Sequence, residues 1–494
     1  MIEALTLLFR SYLIHGYVPD VLMSATLVPL IKDKLGDINS SKNYRSIAIS
    51  NILLKILDWI FLIISGDLFK LNDVQFAYQS NTSTSMCSWM VLETINYYLA
   101  RGSKVYVCSM DYSKAFDRVL HGTLFTKMLD KGLSPIFLRL LLYIYMHQTA
   151  AVRWRDKVSN SFSMTNAVRQ GAVSSAIFYC FYCEQLFEEL KRIGVGCWVE
   201  NLYHGIFGYS DDNILLAPTI EALQQMIKTC EDFARTHNLQ FSTDPDPVKC
   251  KTKLICFSDE NVIPATKVYL CGNVLPWVSN IKHVGIFLTS LVDGLQHDIE
   301  IKGAQYINTA NYLNQEFSFA HPYTKWKLNM IYNFHFTGCE LWDFCSDEFG
   351  KFLSTIQRSF KIAYDLPWAT HRYYFEALTK CQHPLLIIRR RFLNFLDMIK
   401  RSKKVAPKTL LDTIQNDTRS VTGSNLRSIM LDSDEVSVND IKIEKTKVYI
   451  SVPEHEDWRI SVVSEIVDVI HNQAFVENFE RQNLVEIMNH LCIS

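Results

Sequence analysis

Apolar residues that alternate with polar ones mark strands, and apolar residues that recur every three or four positions mark helices. By that measure residues 103–110, "SKVYVCSM", are β-rich and end at Asp111, and 113–132 follow with helical spacing and a Gly stop. A second helix is predicted over 134–148, then two strand-like pieces around "AAVRWRD" and "NSFSMTNAV", then a helix across 173–192. Residues 202–217 read as two short strands joined by a tight turn. Residues 219–238 follow as an amphipathic helix with Thr219 and Glu221 near its cap, and 251–257 as a returning strand. With the inserted helix and strand pair set aside, the order is β-α-β-β-α-β. That order folds as an antiparallel sheet with its helices on one face, an α+β arrangement. The first strand and the middle hairpin then lie side by side at the sheet centre, where Asp111 can face Asp211.

Composition narrows the class without naming a reaction. With 494 residues, 48% hydrophobic and 20% charged, the chain is expected to fold into two to four units. Its 50 Lys and Arg nearly cancel its 51 Asp and Glu, so contact with nucleic acid must rest on local basic runs such as 387–404 and 248–253. Thirteen cysteines without zinc-ribbon spacing fit a reducing compartment, and Cys180-x-x-Cys183 lies in an apolar helical stretch suited to core packing. The longest apolar run, 52–64, is short of a membrane span and carries Lys55 and Asp58. The first sixteen residues read as an amphipathic helix with Glu3 and Arg10, so an intracellular protein without a membrane segment is expected.

Candidate chemistry gathers at "GYSDDNILLAP" (208–218), where Asp211 and Asp212 occupy a hairpin tip. Together with Asp111 they make three acids on one open surface. Such a cluster raises its own pKa values unless cations occupy it. Mg²⁺ takes oxygen ligands and is commonly held by one or two carboxylates plus substrate phosphates. Two such ions about 4 Å apart stabilise the attacking and leaving oxygens of a phosphoryl transfer. Because neighbouring strand side chains point to opposite faces, Asp111 and Asp211 rank as the principal ligands and Asp212 as support.

Several segments together resemble the reverse transcriptase of non-LTR (LINE-type) retrotransposons. "LVPLIKDK…NYRSIAISNILLKILDWI" (27–60) is similar to the opening fingers motifs, and "SMDYSKAFDRV" (109–119) to the palm motif with the first metal-binding aspartate. "AVRQGAVSSAIFYCFYCEQL" (167–186) resembles the Arg-Gln-Gly motif, and "GYSDDNILL" the Tyr-x-Asp-Asp box. "NLQFSTDPDPVKCKTKLICF" (238–257) and "CGNVLPWVSNIKHVGIFL" (271–288) follow in order, resembling the lysine motif and the primer-grip region. Six motifs in the family's order are specific, although each alone is weak.

The resemblance implies a polymerase right hand. Fingers occupy 1–100, a palm with interleaved fingers elements 101–260, a palm or primer-grip region 261–290 and a helical thumb 291–404, while 405–494 has no assigned function. It implies an RNA-directed DNA polymerase using Mg²⁺ (or Mn²⁺), two ions in all. The partners implied are an RNA template, a DNA primer and deoxynucleoside triphosphates, and the location implied is nucleus and cytoplasm. Asp111 and Asp211 correspond to the metal-binding positions, with Asp212 completing the acidic set. Phe116 stands where the family keeps a bulky ring under the incoming sugar. Gln170 and Gly171 match the turn against the template–nucleotide pair, and Lys32 and Arg45 the fingers residues that meet triphosphate and template. Lys251 is chosen as the lysine that closes on the triphosphate and can protonate the leaving pyrophosphate. Lys249 stays in competition, because the spacing leaves the register open. The chain begins almost at the fingers motifs and shows no Cys/His zinc knuckle, so DNA nicking is expected to come from elsewhere. The rival reading is a truncated or co-opted element product that binds RNA without synthesising DNA. A third is a related polymerase such as a telomerase or group II intron protein.

Overall fold

Helix α1 (Ile2–His15) precedes a first sheet, in which β1 (Ser24–Ile31) and β2 (Tyr44–Ile49) run antiparallel with Val28 opposite Ile47. In this computed structural model residues 2–431 are described, except 35, 170, 261–262, 291–294, 372–373, 416 and 418. Helix α2 (Ile52–Ser65) starts where the Asn51 side chain accepts from Leu53 N, and it buries Leu54, Leu57, Ile60 and Phe61 together with Asp58. Helix α3 (Thr84–Leu99), capped by Ser83, buries residues on every side, from Met86 through Trp89 to Ile95. It is a core helix, as its lack of a polar face requires.

The second sheet has the predicted order. The elements that follow α3 in the chain are β3 (Val105–Met110), α4 (His121–Asp130), α5 (Pro135–His147), β4 (Thr149–Trp154), α6 (Ser175–Arg192), β5 (Ile206–Tyr209), β6 (Asp212–Ala217), α7 (Ile220–Thr236) and β7 (Lys253–Phe257). The strands run β7-β3-β6-β5, every pair antiparallel, with Met110 opposite Asn213 and Ser109 opposite Lys253. Helix α7 packs on β6 and β3, and α6 packs on α7. Thr219 caps α7 by accepting from Ala222 N at 3.1 Å, as expected of that position. Cys180 and Cys183 are buried on α6 as unbridged thiols.

One local expectation needed correction. The helix predicted over 113–132 is broken: Lys114 is left-handed (φ 52), Ala115–Arg118 form a single 3₁₀ turn, and α4 begins only at His121. Tertiary bonds take the carbonyls that a continuous helix would use, since Phe116 O accepts from Val168 N at 3.1 Å and Ser113 O from Arg118 Nε at 3.1 Å. The inserted strand β4 joins the first sheet, parallel to β1 with Ala25 opposite Ala150.

Beyond β7, Leu254 bridges to Trp277 and leads to a hairpin of β8 (Asn280–His283) and β9 (Ile286–Thr289). The remainder is helical: α8 (Gln296–Glu316), α9 (Pro322–Asn333), α10 (Asp347–Ala363), α11 (Pro384–Arg401), α12 (Val405–Ile414) and α13 (Val421–Leu431). The fully buried Asp298 joins hairpin to helices, accepting from Phe287 N at 3.2 Å, Lys302 Nζ at 2.7 Å and Trp342 Nε1 at 2.9 Å. The basic run of α11 is partly committed inside the fold, because Arg391 donates to the carbonyls of His335 (2.6 Å) and Phe334 (3.1 Å). Among the described residues no helix is long and apolar enough to cross a membrane.

Candidate active site

Tyr209 pairs with Asp212 at the end of the β5–β6 ladder, which leaves Ser210 and Asp211 as a two-residue turn. Ser210 has φ 63 and Asp211 is not in the left-handed region, the II′ pattern that matches hairpin twist and ordinarily favours Gly first. The turn sits beside the end of β3, one residue past the Met110–Asn213 pair, where Asp111 emerges. Asp111 is held by its backbone: its carbonyl accepts from Ser242 N at 2.7 Å and its N–H donates to Thr252 Oγ1 at 3.3 Å. Next to it the Tyr112 and Phe241 rings lie 4.8 Å apart.

Asp211 feels both its burial and the neighbouring acid. Burial pushes the Asp211 carboxyl above its ordinary range, the Asp111 carboxylate adds to the rise, and Arg45 on β2 opposes it. Asp212 is raised to about 6 by desolvation and then by Asp211 and Asp111. The two lysines left open by the sequence differ in their neighbours. Lys251 Nζ stands 4.0 Å from Asp111 Oδ2, whereas Lys249 Nζ is 3.6 Å from Asp246 Oδ2.

Phe116, on the 3₁₀ turn, stacks on the buried Tyr179 ring of α6 with centroids 4.5 Å apart. Gly171 has φ 80, and a Cβ there would lie 2.5 Å from Ala48 O of β2; Ser50 Oγ donates to Gly171 O at 3.0 Å. Close backbone approach therefore requires this glycine. Lys32 lies just past β1, where its N–H donates to Asn43 O at 2.8 Å, with its side chain exposed. Gln170 lies outside the described residues.

Asp58 was missed as a site residue by sequence reasoning. It accepts from Arg169 Nη2, from Val173 N at 3.2 Å and from Ser174 Oγ at 3.3 Å, pinning the turn that carries Gly171 to α2. A lone acid within "ILLKILDWIFLII" was the available signal, because a carboxylate rarely enters an apolar face without a partner.

The donor set can be tested against a divalent cation. Among the described residues no three His, Cys, Asp or Glu side chains gather closely enough to hold an ion by themselves. The three-carboxylate cage expected from sequence is thus not preformed, since Asp211 occupies the turn while Asp212 opens β6 and neighbouring side chains diverge. Asp111 and the raised Asp211 on an open surface still fit Mg²⁺, which takes one or two carboxylates and completes its shell with water and phosphate oxygens.

This palm-like sheet with acids at its central strand ends is that of a template-directed polymerase. Residues 32–286, just over half of the chain, match the family of the reverse transcriptase (RNA-dependent DNA polymerase), and the chain belongs to that family. It is also similar to the "Retrovirus-related Pol polyprotein from type-2 retrotransposable element R2DM" of Drosophila melanogaster, at 24% identity over 191 residues. That match covers 37% of this chain and 18% of the relative, so the chain spans less than a fifth of that protein. Among solved structures, apo telomerase from Candida tropicalis aligns at 11% identity and a TM-score of 0.41, covering 87% of this chain and 72% of that one. Telomerase from Candida albicans, solved with a fragment of telomeric RNA, aligns at 11% identity and 0.40, covering 87% and 67%.

Proposed function

We propose that the chain is the RNA-directed DNA polymerase of a non-LTR retroelement, adding deoxynucleotides to a DNA primer on an RNA template. The observation that carries this reading is the convergence of Asp111, Asp211 and Lys251 at the end of the central strands, within the electrostatic reach of Arg45. The primer 3′-hydroxyl gives its proton to solvent as its oxygen bonds to the α-phosphorus, the bond from that phosphorus to its bridging oxygen breaks, and pyrophosphate leaves. Asp111 and Asp211, with Asp212 beside them, would hold Mg²⁺ or Mn²⁺, two ions in all. Bound there, such ions supply charge neutralisation at the attacking and leaving oxygens.

The chain's own residues do the rest by positioning and charge. Arg45 and Lys32 meet the triphosphate and template from the first sheet, supplying charge-assisted donors. The Phe116 ring, backed by Tyr179, walls the sugar site so that a 2′-hydroxyl collides with it. Gly171 lets the backbone lie against the nascent pair, and by the family resemblance Gln170 meets the same pair. Lys251 gives a proton to the departing pyrophosphate as general acid. In domain terms 1–100 serves as fingers, 101–260 as palm with interleaved fingers elements, 261–290 as primer-grip region and 291–404 as thumb.

The test is primer extension on an RNA template with Mg²⁺ or Mn²⁺, comparing wild type with Asp211→Asn. The variant is expected to lose more than the roughly 10–100-fold that outer-shell partners of a metal cost. Equal incorporation by the two proteins removes the metal-site reading. RNA binding with no incorporation by wild type favours a co-opted, RNA-binding product instead.

A further inference from the structure

The hairpin that carries Asp211 is held from behind by residues 72–77, which lie outside every motif named above. This segment runs parallel to β5: Gly208 N donates to Val74 O at 2.9 Å and Phe76 N to Gly208 O at 2.8 Å, with Gln75 bridged to Gly208. From there the Gln75 side chain, 0% exposed, reaches into the turn. Its Oε1 accepts from Ser210 N at 3.0 Å and from Ala77 N at 3.0 Å, and its Nε2 approaches Ser210 O at 3.4 Å. One amide therefore takes both backbone groups of Ser210, the residue held at φ 63.

A left-handed conformation is disfavoured for an L residue, and a turn of this kind ordinarily places Gly there. The buried hydrogen bonds that Gln75 makes to both backbone groups of Ser210 offset that cost. The far end of the segment is anchored as well. Lys404 Nζ, on a buried residue, donates to Asn72 O at 3.0 Å and Asp73 O at 2.9 Å. Asp73 Oδ2 accepts from Val405 N at 2.9 Å and Ala406 N at 3.2 Å at the head of α12. Residues 72–77 thus form a strut from α12 to the turn, with the Gln75 amide as its working tip.

We infer that Gln75 is a positioning residue: by clamping Ser210 in its left-handed conformation it aims the adjacent Asp211 carboxylate toward Asp111. The inference rests on the polymerase reading for its kinetic consequence, while the clamp itself is read independently of activity. The test uses the full chain with Gln75→Met, which keeps side-chain length and removes both polar atoms. Amides 208–212 are expected to exchange at least about tenfold faster, as the loss of one to two buried hydrogen bonds requires. The kcat of primer extension is expected to fall about 10–100-fold, with KM for the deoxynucleotide within about twofold, because misaligned chemistry lowers turnover rather than uniform binding. Adding Ser210→Gly to Gln75→Met is expected to restore at least about tenfold of that kcat, since Gly takes positive φ without strain.

Unchanged exchange and unchanged kcat in Gln75→Met overturn the inference, and so does a kcat loss that Gly at 210 leaves untouched. Should the Met variant not fold, Gln75→Asn is read by the same arms, its amide one methylene short of spanning both groups. If wild type extends no primer, the polymerase reading fails, and the exchange result alone upholds or overturns the clamp.

Discussion

Removing the Asp58 carboxylate has a consequence that can be sized from its surroundings. In Asp58→Leu the Arg169 guanidinium, on a residue 6% exposed, loses its counter-charge, and Val173 N and Ser174 Oγ lose their acceptor. Among the described residues Arg169 Nε and Nη1 have no hydrogen-bond partner to share the charge. Breaking one side of such a buried pair costs about 3–5 kcal/mol. If the cost falls on the turn, amides 169–175 will exchange roughly 10²–10⁴-fold faster by mass spectrometry, because each 1.4 kcal/mol is about tenfold. Replacing both partners, Asp58→Leu with Arg169→Met, is expected to recover most of the loss, since a well-packed apolar pair substitutes for a buried ion pair at little cost. Wild-type exchange in Asp58→Leu, or a double variant as damaged as the sum of its singles, refutes the view that this contact pins the turn.

Other outcomes follow from the same geometry. Gly171→Ala forces a Cβ to within 2.5 Å of Ala48 O at φ 80, so a cost beyond the roughly 1 kcal/mol of left-handed strain is expected, and a wild-type melting point contradicts it. Phe116→Val opens the sugar wall and should admit ribonucleotides; unchanged sugar discrimination in competition assays rejects that role. Lys251→Ala should lower kcat about 10²-fold while Lys249→Ala stays near wild type, and the reverse ranking reinstates Lys249. The half-buried Glu184 is raised to about 7, first by burial. A raised acid lends stability below its ordinary pKa and loses it as pH rises through the folded value. Glu184→Gln should therefore gain up to about 3 kcal/mol relative to wild type between pH 5 and pH 8, and a melting difference that does not widen over that span argues against it.

Much of this molecule is legible before folding, and the reasons are local. Periodicity separates "SKVYVCSM" from the helix over 219–238, Thr219 announces its cap, and a Gly-Tyr-Ser-Asp-Asp turn can hardly be other than a hairpin tip. Those features depend on residues within a few positions of one another, so the order of the palm elements follows from the chain itself, whereas the placing of Asp111 beside the Asp211 turn depends on strand pairing across 100 residues. Long-range competition decided the rest. The helix expected over 113–132 broke because Val168, distant in sequence, claims the Phe116 carbonyl. That Lys251 rather than Lys249 stands near Asp111 depends on the path of the chain after Phe241. Asp58 and Gln75 owe their roles to partners 111 and 135 residues away, a separation no sequence window spans. Only in the tertiary structure do their buried polar groups find the partners that make burial affordable.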